Sequence, residues 1–341
     1  MHPVSQIIER NLPRLAAGGK ALWINPERDG CWQLAAGRTD SLQLSCQDHG
    51  AARYLQASGA DVSFEAYPGK HSKAYDRVIL NLPRQKALLA MLLDNAAATL
   101  SGEGALWLAG ENRAGIKSAR RYLEARFGKV RKLDSARHCT LFEAGNVLAE
   151  RVFDPLDYRE EWPLACGTTD IAVVSYPGVF AHGRLDAGTA LLLEVLQDMR
   201  IRGEVLDFAC GAGVVGACVA SRSRAAHVTL LDNNALALKS ATETLAANGL
   251  DGAVLASDGL SEVEGIFDLI ISNPPIHAGL RTDTGLSMRL LDSVLEHLRD
   301  KGRLLMVSNI HLPYEKWLAQ RFRRTRQVAE NRQFKVLLAE K

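Results

Sequence analysis

The sequence of 341 residues lacks the features of a secreted or membrane-bound protein. No uninterrupted apolar stretch approaches the length that crosses a bilayer, so we expect no membrane span. The first thirty residues scatter charged side chains such as Glu9, Arg10 and Lys20 among the apolar ones. They therefore contain no apolar core of a signal peptide. These absences favour a cytoplasmic protein without membrane contact.

Cysteine is scarce, and its spacing is uninformative. None of the six cysteines forms a Cys-x-x-Cys pair or a cluster with histidine at zinc-binding spacing. We therefore expect reduced thiols, as in cytosolic proteins, and no metal site.

An excess of one charge is also missing, since the net charge is +2, but two segments are strongly basic. Residues 113–137 include nine Lys and Arg against two acidic residues, and residues 316–335 include seven against one. Two concentrated basic segments predict a surface that binds a polyanion such as nucleic acid. For either segment alone, a solvated helix face is the alternative. The candidate RNA-binding residues are Arg113, Lys117, Arg120, Arg121, Lys129, Arg131, Lys132, Arg321, Arg323 and Arg324.

Two parts of the chain repeat one pattern, which indicates an internal duplication. Residues 75–83 (YDRVILNLP) match residues 267–275 (FDLIISNPP). Residues 122–127 (YLEARF) match residues 317–322 (WLAQRF) in the same order.

The length suits two domains, and each half alternates short apolar runs with helical patterns. We therefore expect an α/β protein with two tandem Rossmann-like domains, each a mostly parallel twisted sheet flanked by helices, over residues 1–150 and 165–341. The first half has no Gly-x-Gly loop and carries Asn81-Leu-Pro83 where the second has Asn-Pro-Pro. We expect the first half to be catalytically inactive and to support folding and RNA docking.

The second half carries a glycine turn after an apolar run, in the sequence Asp207-Phe-Ala-Cys210-Gly211-Ala-Gly213. Glycines let a backbone approach a ligand closely, and the start of the following helix adds unpaired N–H groups. Asp207 lies inside the strand end, where it could hold the loop and the ammonium group of a methionine moiety.

Acidic residues end the next two predicted strands. Asp232, followed by Asn233, comes 21 positions after Gly211 and could accept hydrogen bonds from both ribose hydroxyls. Asp258 could accept one from an adenine amino group. Ligands of open parallel sheets bind at the carboxyl ends of strands. The Gly-x-Gly-x-x-Gly spacing with Asp232 also fits a dinucleotide fingerprint, which leaves NAD(P) as an alternative cofactor.

The fourth predicted strand of this half ends in Asn273-Pro274-Pro275-Ile276. Neither proline has an N–H group, and Pro274 pushes Asn273 away from helical backbone angles. The turn therefore offers carbonyl groups and the Asn273 amide in a stiff arrangement. Such acceptors can bind both N–H groups of a planar amine and aim its nitrogen. An Asn-Pro turn without function is the alternative.

The combination of the Asp207 strand end, the glycine turn, Asp232 and the Asn-Pro-Pro turn resembles the class I S-adenosylmethionine-dependent methyltransferases that act on amino groups. The duplicated halves, residues 180–189 (FAHGRLDAGT) and His277-Ala-Gly279 narrow the resemblance to the ribosomal RNA small subunit methyltransferase C family. This resemblance implies S-adenosylmethionine as cofactor and 16S rRNA in the small ribosomal subunit as partner. It implies methyl transfer to the exocyclic N2 amine of a guanine.

The resemblance also implies that Gly188 and Thr189 contact the cofactor, although the start of a helix explains them equally well. The catalytic residues would be Asn273, Pro274, Pro275 and Ile276. The residue after Asn-Pro-Pro is commonly aromatic in such enzymes, so Ile276 leaves open which side chain stacks on the base.

Several alternatives remain from the sequence. They are an amino-group methyltransferase acting on DNA adenine or protein glutamine, an NAD-dependent oxidoreductase, and a non-catalytic RNA-binding assembly factor.

For methyl transfer to an amine, no strong general base is expected. The alkylated amine is acidic enough to lose its proton to the acceptors of the Asn-Pro-Pro turn or to water. We expect a monomer.

Overall fold

Alternating apolar runs and helical segments build two units, Met1–Tyr158 and Arg159–Lys341, each described by itself. The computed structural model describes residues 1–15, 18–68, 74–149, 152–167, 169–274 and 292–341.

The described residues of the first unit form seven strands, five α-helices and three short 3₁₀ turns. The strands are β1 Lys20–Ile24, β2 Ser41–Cys46, β3 Val62–Phe64, β4 Tyr75–Asn81, β5 Leu100–Glu111, β6 Phe127–Ala136 and β7 Cys139–Val147. The helices are α1 Pro3–Asn11, α2 Cys31–Ala36, α3 His49–Ala57, α4 Lys86–Thr99 and α5 Ile116–Glu124, and the 3₁₀ turns are Leu12–Arg14, Asn112–Ala114 and Pro155–Tyr158.

The first unit forms one sheet in the order β3-β2-β1-β4-β5-β7-β6. The first five strands are parallel, and β7 and β6 are antiparallel to their neighbours. Helix α1 covers part of this sheet because Val4, Ile7 and Ile8 recur at helical spacing and are all buried. They share a core with Trp23 and Trp107.

The second unit repeats this architecture. Its strands are β8 Glu160–Cys166, β9 Thr169–Ser175, β10 Gly203–Phe208, β11 Ala226–Asp232, β12 Ala253–Ala256, β13 Phe267–Ser272, β14 Leu298–Asn309, β15 Arg324–Glu330 and β16 Phe334–Glu340. Its helices are α6 Ala187–Gln197, α7 Val214–Arg222, α8 Ala235–Ala247 and α9 Tyr314–Ala319.

The main sheet of the second unit has the order β12-β11-β10-β13-β14-β16-β15, which is the strand order of the first unit, and β8 and β9 form a separate hairpin. The central strands β10 and β13 are buried on both faces over most of their length, as expected of parallel strands covered by helices. The prediction of two tandem Rossmann-like domains from a duplication is confirmed.

One prediction about the cysteines is wrong. Cys166 of β8 and Cys218 of α7 form a disulfide with 5.6 Å between their Cα atoms, whereas the other four cysteines are free thiols. The two partners are 52 positions apart, and only the packing of α7 against the β8–β9 hairpin brings them together. Among the described residues, no helix combines the length and apolarity needed to cross a membrane.

Candidate active site

The carboxyl ends of four neighbouring parallel strands of the second unit, β12, β11, β10 and β13, meet at one cavity. The cavity has a volume of about 490 Å³, within the usual size of small-molecule sites. Each strand end contributes to its wall: Phe208, Ala209 and Gly211; Leu231, Asp232, Asn233 and Asn234; Ser257 and Gly259; and Asn273 and Pro274.

The glycine turn after β10 is shaped by positive φ angles. Gly211 has φ +54° and Gly213 has φ +76°. A Cβ atom on Gly213 would lie 3.0 Å from the Cα atom of Ala241, so this residue lets the turn pack against α8. A Cβ atom on Gly211 would meet nothing closer than 4.0 Å, so the space in front of Gly211 is open to a ligand.

Asp232, at the end of β11, fixes this turn. One carboxylate oxygen accepts a hydrogen bond from the Gly211 N–H at 2.9 Å, and the other accepts one from the Asn234 N–H at 2.9 Å. A carboxylate has about four lone-pair sites, so it can accept more than two hydrogen bonds at once. Asn233 is exposed and also lines the cavity.

Asp207 is buried behind the turn, and its carboxylate accepts a hydrogen bond from the Gly216 N–H at 2.8 Å. Burial raises the pKa of Asp207 to about 7; the Gly216 hydrogen bond opposes this shift and the nearby Asp232 charge adds to it. A small cavity of about 40 Å³ touches Asp207, Cys210, Thr189 and Asn273. A cation placed there would stabilise the Asp207 carboxylate.

Three further residues that were predicted to bind the cofactor do not line the cavity of about 490 Å³. Cys210 is buried, and burial raises the pKa of its thiol well above the ordinary value. Gly213 serves as the N-cap of α7. The Asp258 side chain is exposed, and its neighbours Ser257 and Gly259 line the cavity.

The Asn273 amide is held by hydrogen bonds from its nitrogen. Nδ2 donates to Thr189 Oγ1 at 2.9 Å and to Asp186 Oδ2 at 3.1 Å. Asp186 is the N-cap of α6, and the same oxygen accepts hydrogen bonds from the Gly188 and Thr189 N–H groups at 2.8 and 3.1 Å. The amide nitrogen faces α6, and no described residue bonds Oδ1, so this oxygen is the candidate acceptor for a ligand.

Gly188 and Thr189 therefore lie in the first turn of α6 beside Asn273. Pro274 is half-buried and lines the cavity. Pro275 and Ile276, which were also predicted to be catalytic, lie outside the described residues.

The sequence reasoning missed Asp186, although an acidic residue before an apolar helical run is a recognisable N-cap signal. It also missed Phe180 and Phe334, which bring aromatic rings to the cavity wall. These residues are far from Asn273 in the sequence, so only the fold reveals their proximity.

The predicted RNA-binding residues of the first unit lie on α5, on β6 and in the turn before α5, and all seven are exposed. Arg113 is paired with Glu111, Arg120 with Glu124 and Arg131 with Glu143. In the second unit, Arg323 and Arg324 are exposed, whereas Arg321 is paired with Asp292 at 2.6 Å and is largely covered.

The matching position in the first unit is chemically different. Asn81 ends β4 as Asn273 follows β13, but its Oδ1 accepts a hydrogen bond from the buried Trp23 indole at 3.0 Å. Its Nδ2 donates to Glu27 Oε1 at 3.3 Å. The oxygen that Asn273 leaves available is therefore occupied in Asn81.

Comparisons with known proteins agree with these two units. Residues 5–161 match the model of the methyltransferase small domain N-terminal family, and residues 170–338 match that of the methyltransferase small domain.

Known proteins are similar to most or all of the chain in sequence, and one solved structure is similar to it in fold. A ribosomal RNA small subunit methyltransferase C of Pseudomonas entomophila is 48% identical over 244 residues, which span 71% of this chain and 72% of that protein. One from Aeromonas hydrophila is 37% identical over 98% of this chain and 97% of its own length. The structure of the T. thermophilus 16S rRNA N2 G1207 methyltransferase with AdoMet and guanosine superposes with a TM-score of 0.86 at 27% identity, over 100% of this chain and 92% of that one.

Proposed function

Because the chain belongs to the ribosomal RNA small subunit methyltransferase C family, we propose that it methylates the exocyclic N2 amine of a guanine in 16S rRNA, with S-adenosylmethionine as the methyl donor. The observation that carries this proposal is the tethered Asn273 amide, whose nitrogen is bound to α6 and whose oxygen is left for an amine. The relative from T. thermophilus is described as an N2 methyltransferase of a guanine in 16S rRNA, in complex with the same donor.

The residues at the ends of β10, β11 and β12 can bind S-adenosylmethionine. This cofactor would supply an activated methyl group bound to its sulfonium sulfur. The open face of Gly211 gives room for close approach of the ligand. The Asp232 carboxylate, beside Asn233, can accept hydrogen bonds from ribose hydroxyls. Asp207 can hold a cationic amino group through the small cavity that it lines.

The positions of the other residues predicted to bind the cofactor fit a direct contact less well. Asp258 would have to reach the adenine amine from an exposed position, and Ser257 is better placed on the cavity wall. Gly188 and Thr189 would act by shaping the turn that holds Asn273, and Cys210 and Gly213 by shaping the glycine turn.

The substrate amine would be held by Asn273 Oδ1 and the Pro274 carbonyl, with Pro275 keeping the turn rigid and Ile276 forming an apolar platform. Accepting both N–H groups orients the nitrogen lone pair and stabilises the positive charge that develops on nitrogen during transfer. Guanine N2 is on the minor-groove edge, and a cavity at the strand ends requires the base to leave its stack.

We assign residues 165–341 as the catalytic domain and residues 1–150 as a degenerate copy. The Trp23–Asn81 hydrogen bond supports the second assignment, because it occupies the acceptor that the amine would need. The exposed basic side chains on α5 and β6 are suited to bind rRNA phosphates. A substrate in the small ribosomal subunit is consistent with a cytoplasmic protein, and we retain both this location and the monomer as predictions.

The test is to incubate the protein with S-adenosylmethionine labelled in its methyl group and either 16S rRNA or small ribosomal subunits that lack the modification. We expect labelled N2-methylguanosine after digestion of the RNA. Label in DNA adenine or in protein glutamine, offered as competing substrates, would contradict the proposal.

A further inference from the structure

Four arginines gather at the edge of the second unit's main sheet where its parallel strands begin, opposite the edge that holds the catalytic cavity. They form two Arg-x-Arg pairs, Arg200-Ile-Arg202 before β10 and Arg222-Ser-Arg224 before β11. Because β10 and β11 are parallel neighbours whose first residues pair, the two Arg-x-Arg pairs lie side by side. All four residues line one surface cavity of about 460 Å³, and together they are called the arginine cluster below.

Hydrogen bonds hold the two segments of the arginine cluster together. Ser223 Oγ donates to the Ile201 carbonyl at 2.8 Å, and the Gly203 N–H donates to the Ala225 carbonyl at 2.8 Å. Arg222 donates through both terminal nitrogens to the carbonyls of the last two residues of α6, at 3.0 and 2.7 Å. The backbone of the cluster is therefore fixed, and the Arg222 side chain has a structural role at the end of α6.

The side chains of Arg200, Arg202 and Arg224 are exposed, and none of them forms a hydrogen bond or an ion pair with a residue that the structure describes. No acidic residue is among the described residues that line the cavity. The acidic residue next to the cluster in sequence, Asp198, is exposed and lies outside this lining. A guanidinium group offers five N–H donors in a planar fork that matches a phosphate. The arginine cluster therefore suits a ligand that carries several phosphates.

The first unit has the same strand order but a different group at this edge. The N–H groups of Lys20 in β1 and Glu204 in β10 each donate at 2.9 Å to the aspartate at the second position of β4 and β13, respectively, which aligns the two edges. Two positions earlier, Gly18 stands where the second unit has Arg202. A Cβ atom on Gly18 would lie 3.5 Å from the Asp40 carboxylate, so this edge of the first unit holds an acidic group. The fold therefore does not require the arginines.

The arginine cluster is too far from the catalytic cavity to contact the target nucleotide. Strand β10 has six residues, which span about 20 Å from the cluster to the glycine turn. A nucleotide bound at the glycine-turn end cannot cover this distance, whereas another segment of a large folded RNA can.

We propose that the arginine cluster is a second RNA-docking surface, on the catalytic domain, which binds backbone phosphates of 16S rRNA at a segment remote from the target guanine. This inference rests on the proposed function, because it takes the small ribosomal subunit as the partner. The cluster would act together with the basic side chains on α5 and β6 of the first unit. Phosphate contacts fix position without reading the sequence, so the cluster would orient the catalytic domain on the subunit.

The experiment measures binding of unmodified small subunits at several salt concentrations in the presence of S-adenosylhomocysteine, together with steady-state methylation. The test variant combines Arg202→Gln with Arg224→Gln and leaves the structural Arg222 in place. It should reduce the slope of the logarithm of the association constant against the logarithm of the salt concentration by about 1.5. KM for small subunits should rise while kcat stays at the wild-type value. Affinity for S-adenosylhomocysteine and the thermal unfolding temperature should not change, which excludes a folding defect.

Two control variants accompany the test. Arg202→Lys with Arg224→Lys keeps both charges and should retain most of the wild-type slope. Arg38→Gln with Lys86→Gln removes two exposed charges of the first unit, one of them before β2 as Arg224 is before β11, and should leave the slope unchanged.

The outcomes separate this inference from the proposed function. A wild-type slope and KM in Arg202→Gln with Arg224→Gln would overturn the inference alone. Weaker binding of small subunits with unchanged binding of naked 16S rRNA would also overturn it, since the cluster would then contact an acidic ribosomal protein. If binding depends on the cluster but the wild-type protein places no methyl group on rRNA, the proposed function fails and the docking surface stands.

Discussion

Replacement of Thr189 by valine tests how the Asn273 amide is held. Valine matches threonine in shape but lacks the hydroxyl that accepts from Asn273 Nδ2 at 2.9 Å. Loss of one neutral hydrogen bond corresponds to about 0.5–1.5 kcal/mol, or about 2- to 13-fold. The Asp186 contact at 3.1 Å remains, and it is charge-assisted, so the amide should not swing free.

We therefore expect Thr189→Val to lower the rate of the methyl-transfer step by about 2- to 10-fold. A single-turnover measurement with labelled methyl donor separates this step from product release. Affinity for S-adenosylhomocysteine should be unchanged, and Thr189→Ser, which keeps the hydroxyl, should behave like wild type. A normal transfer rate with weakened affinity for S-adenosylhomocysteine would show that Thr189 contacts the cofactor instead, and would refute the anchoring role.

Two other properties of the site and the surface can be tested. Burial raises the pKa of Asp207 to about 7, and a bound ammonium group favours its carboxylate form. The affinity for S-adenosylhomocysteine should therefore rise with pH up to about 7 and then level off. Calorimetry should show that Asp207→Asn removes this pH dependence. In the free protein, the raised pKa of Asp207 adds to the free energy of unfolding below about pH 4, and this contribution is lost as the pH rises through about 7. At pH 8, Asp207→Asn should therefore be at least as stable to urea as the wild type. Replacing both Lys129 and Lys132 by glutamine should reduce the slope of the logarithm of the rRNA association constant against the logarithm of the salt concentration by about 1.5. As a control, replacing the exposed Arg38 and Lys86 by glutamine should leave this slope unchanged.

The sequence predicted the features that depend on local pattern. The apolar runs of β10 and β13, the glycine turn and the acid at the end of β11 all follow from residue type and spacing. The duplication was also visible, because loop insertions shift the two copies without erasing their order.

Features that depend on tertiary packing were not predictable. Asp186 and Asn273 are 87 positions apart, and their hydrogen bond exists because α6 begins beside the end of β13. Phe334 reaches the cavity because β16 runs antiparallel to β14, which brings its first residue to the same edge as the ends of the parallel strands. The Cys166–Cys218 disulfide has the same origin, since no spacing rule connects a hairpin to a helix 52 positions away.

The central claim is that the Asn273 oxygen, positioned by hydrogen bonds from its own nitrogen, binds the guanine amine during methyl transfer. The most direct measurement is the single-turnover rate of Asn273→Ala on unmodified small subunits, alongside its affinity for S-adenosylhomocysteine. We predict a loss of about 10²–10³ in rate, by analogy with the removal of one oriented hydrogen-bonding group from an active site, with cofactor affinity unchanged. Formation of N2-methylguanosine at the wild-type rate by Asn273→Ala would contradict the account.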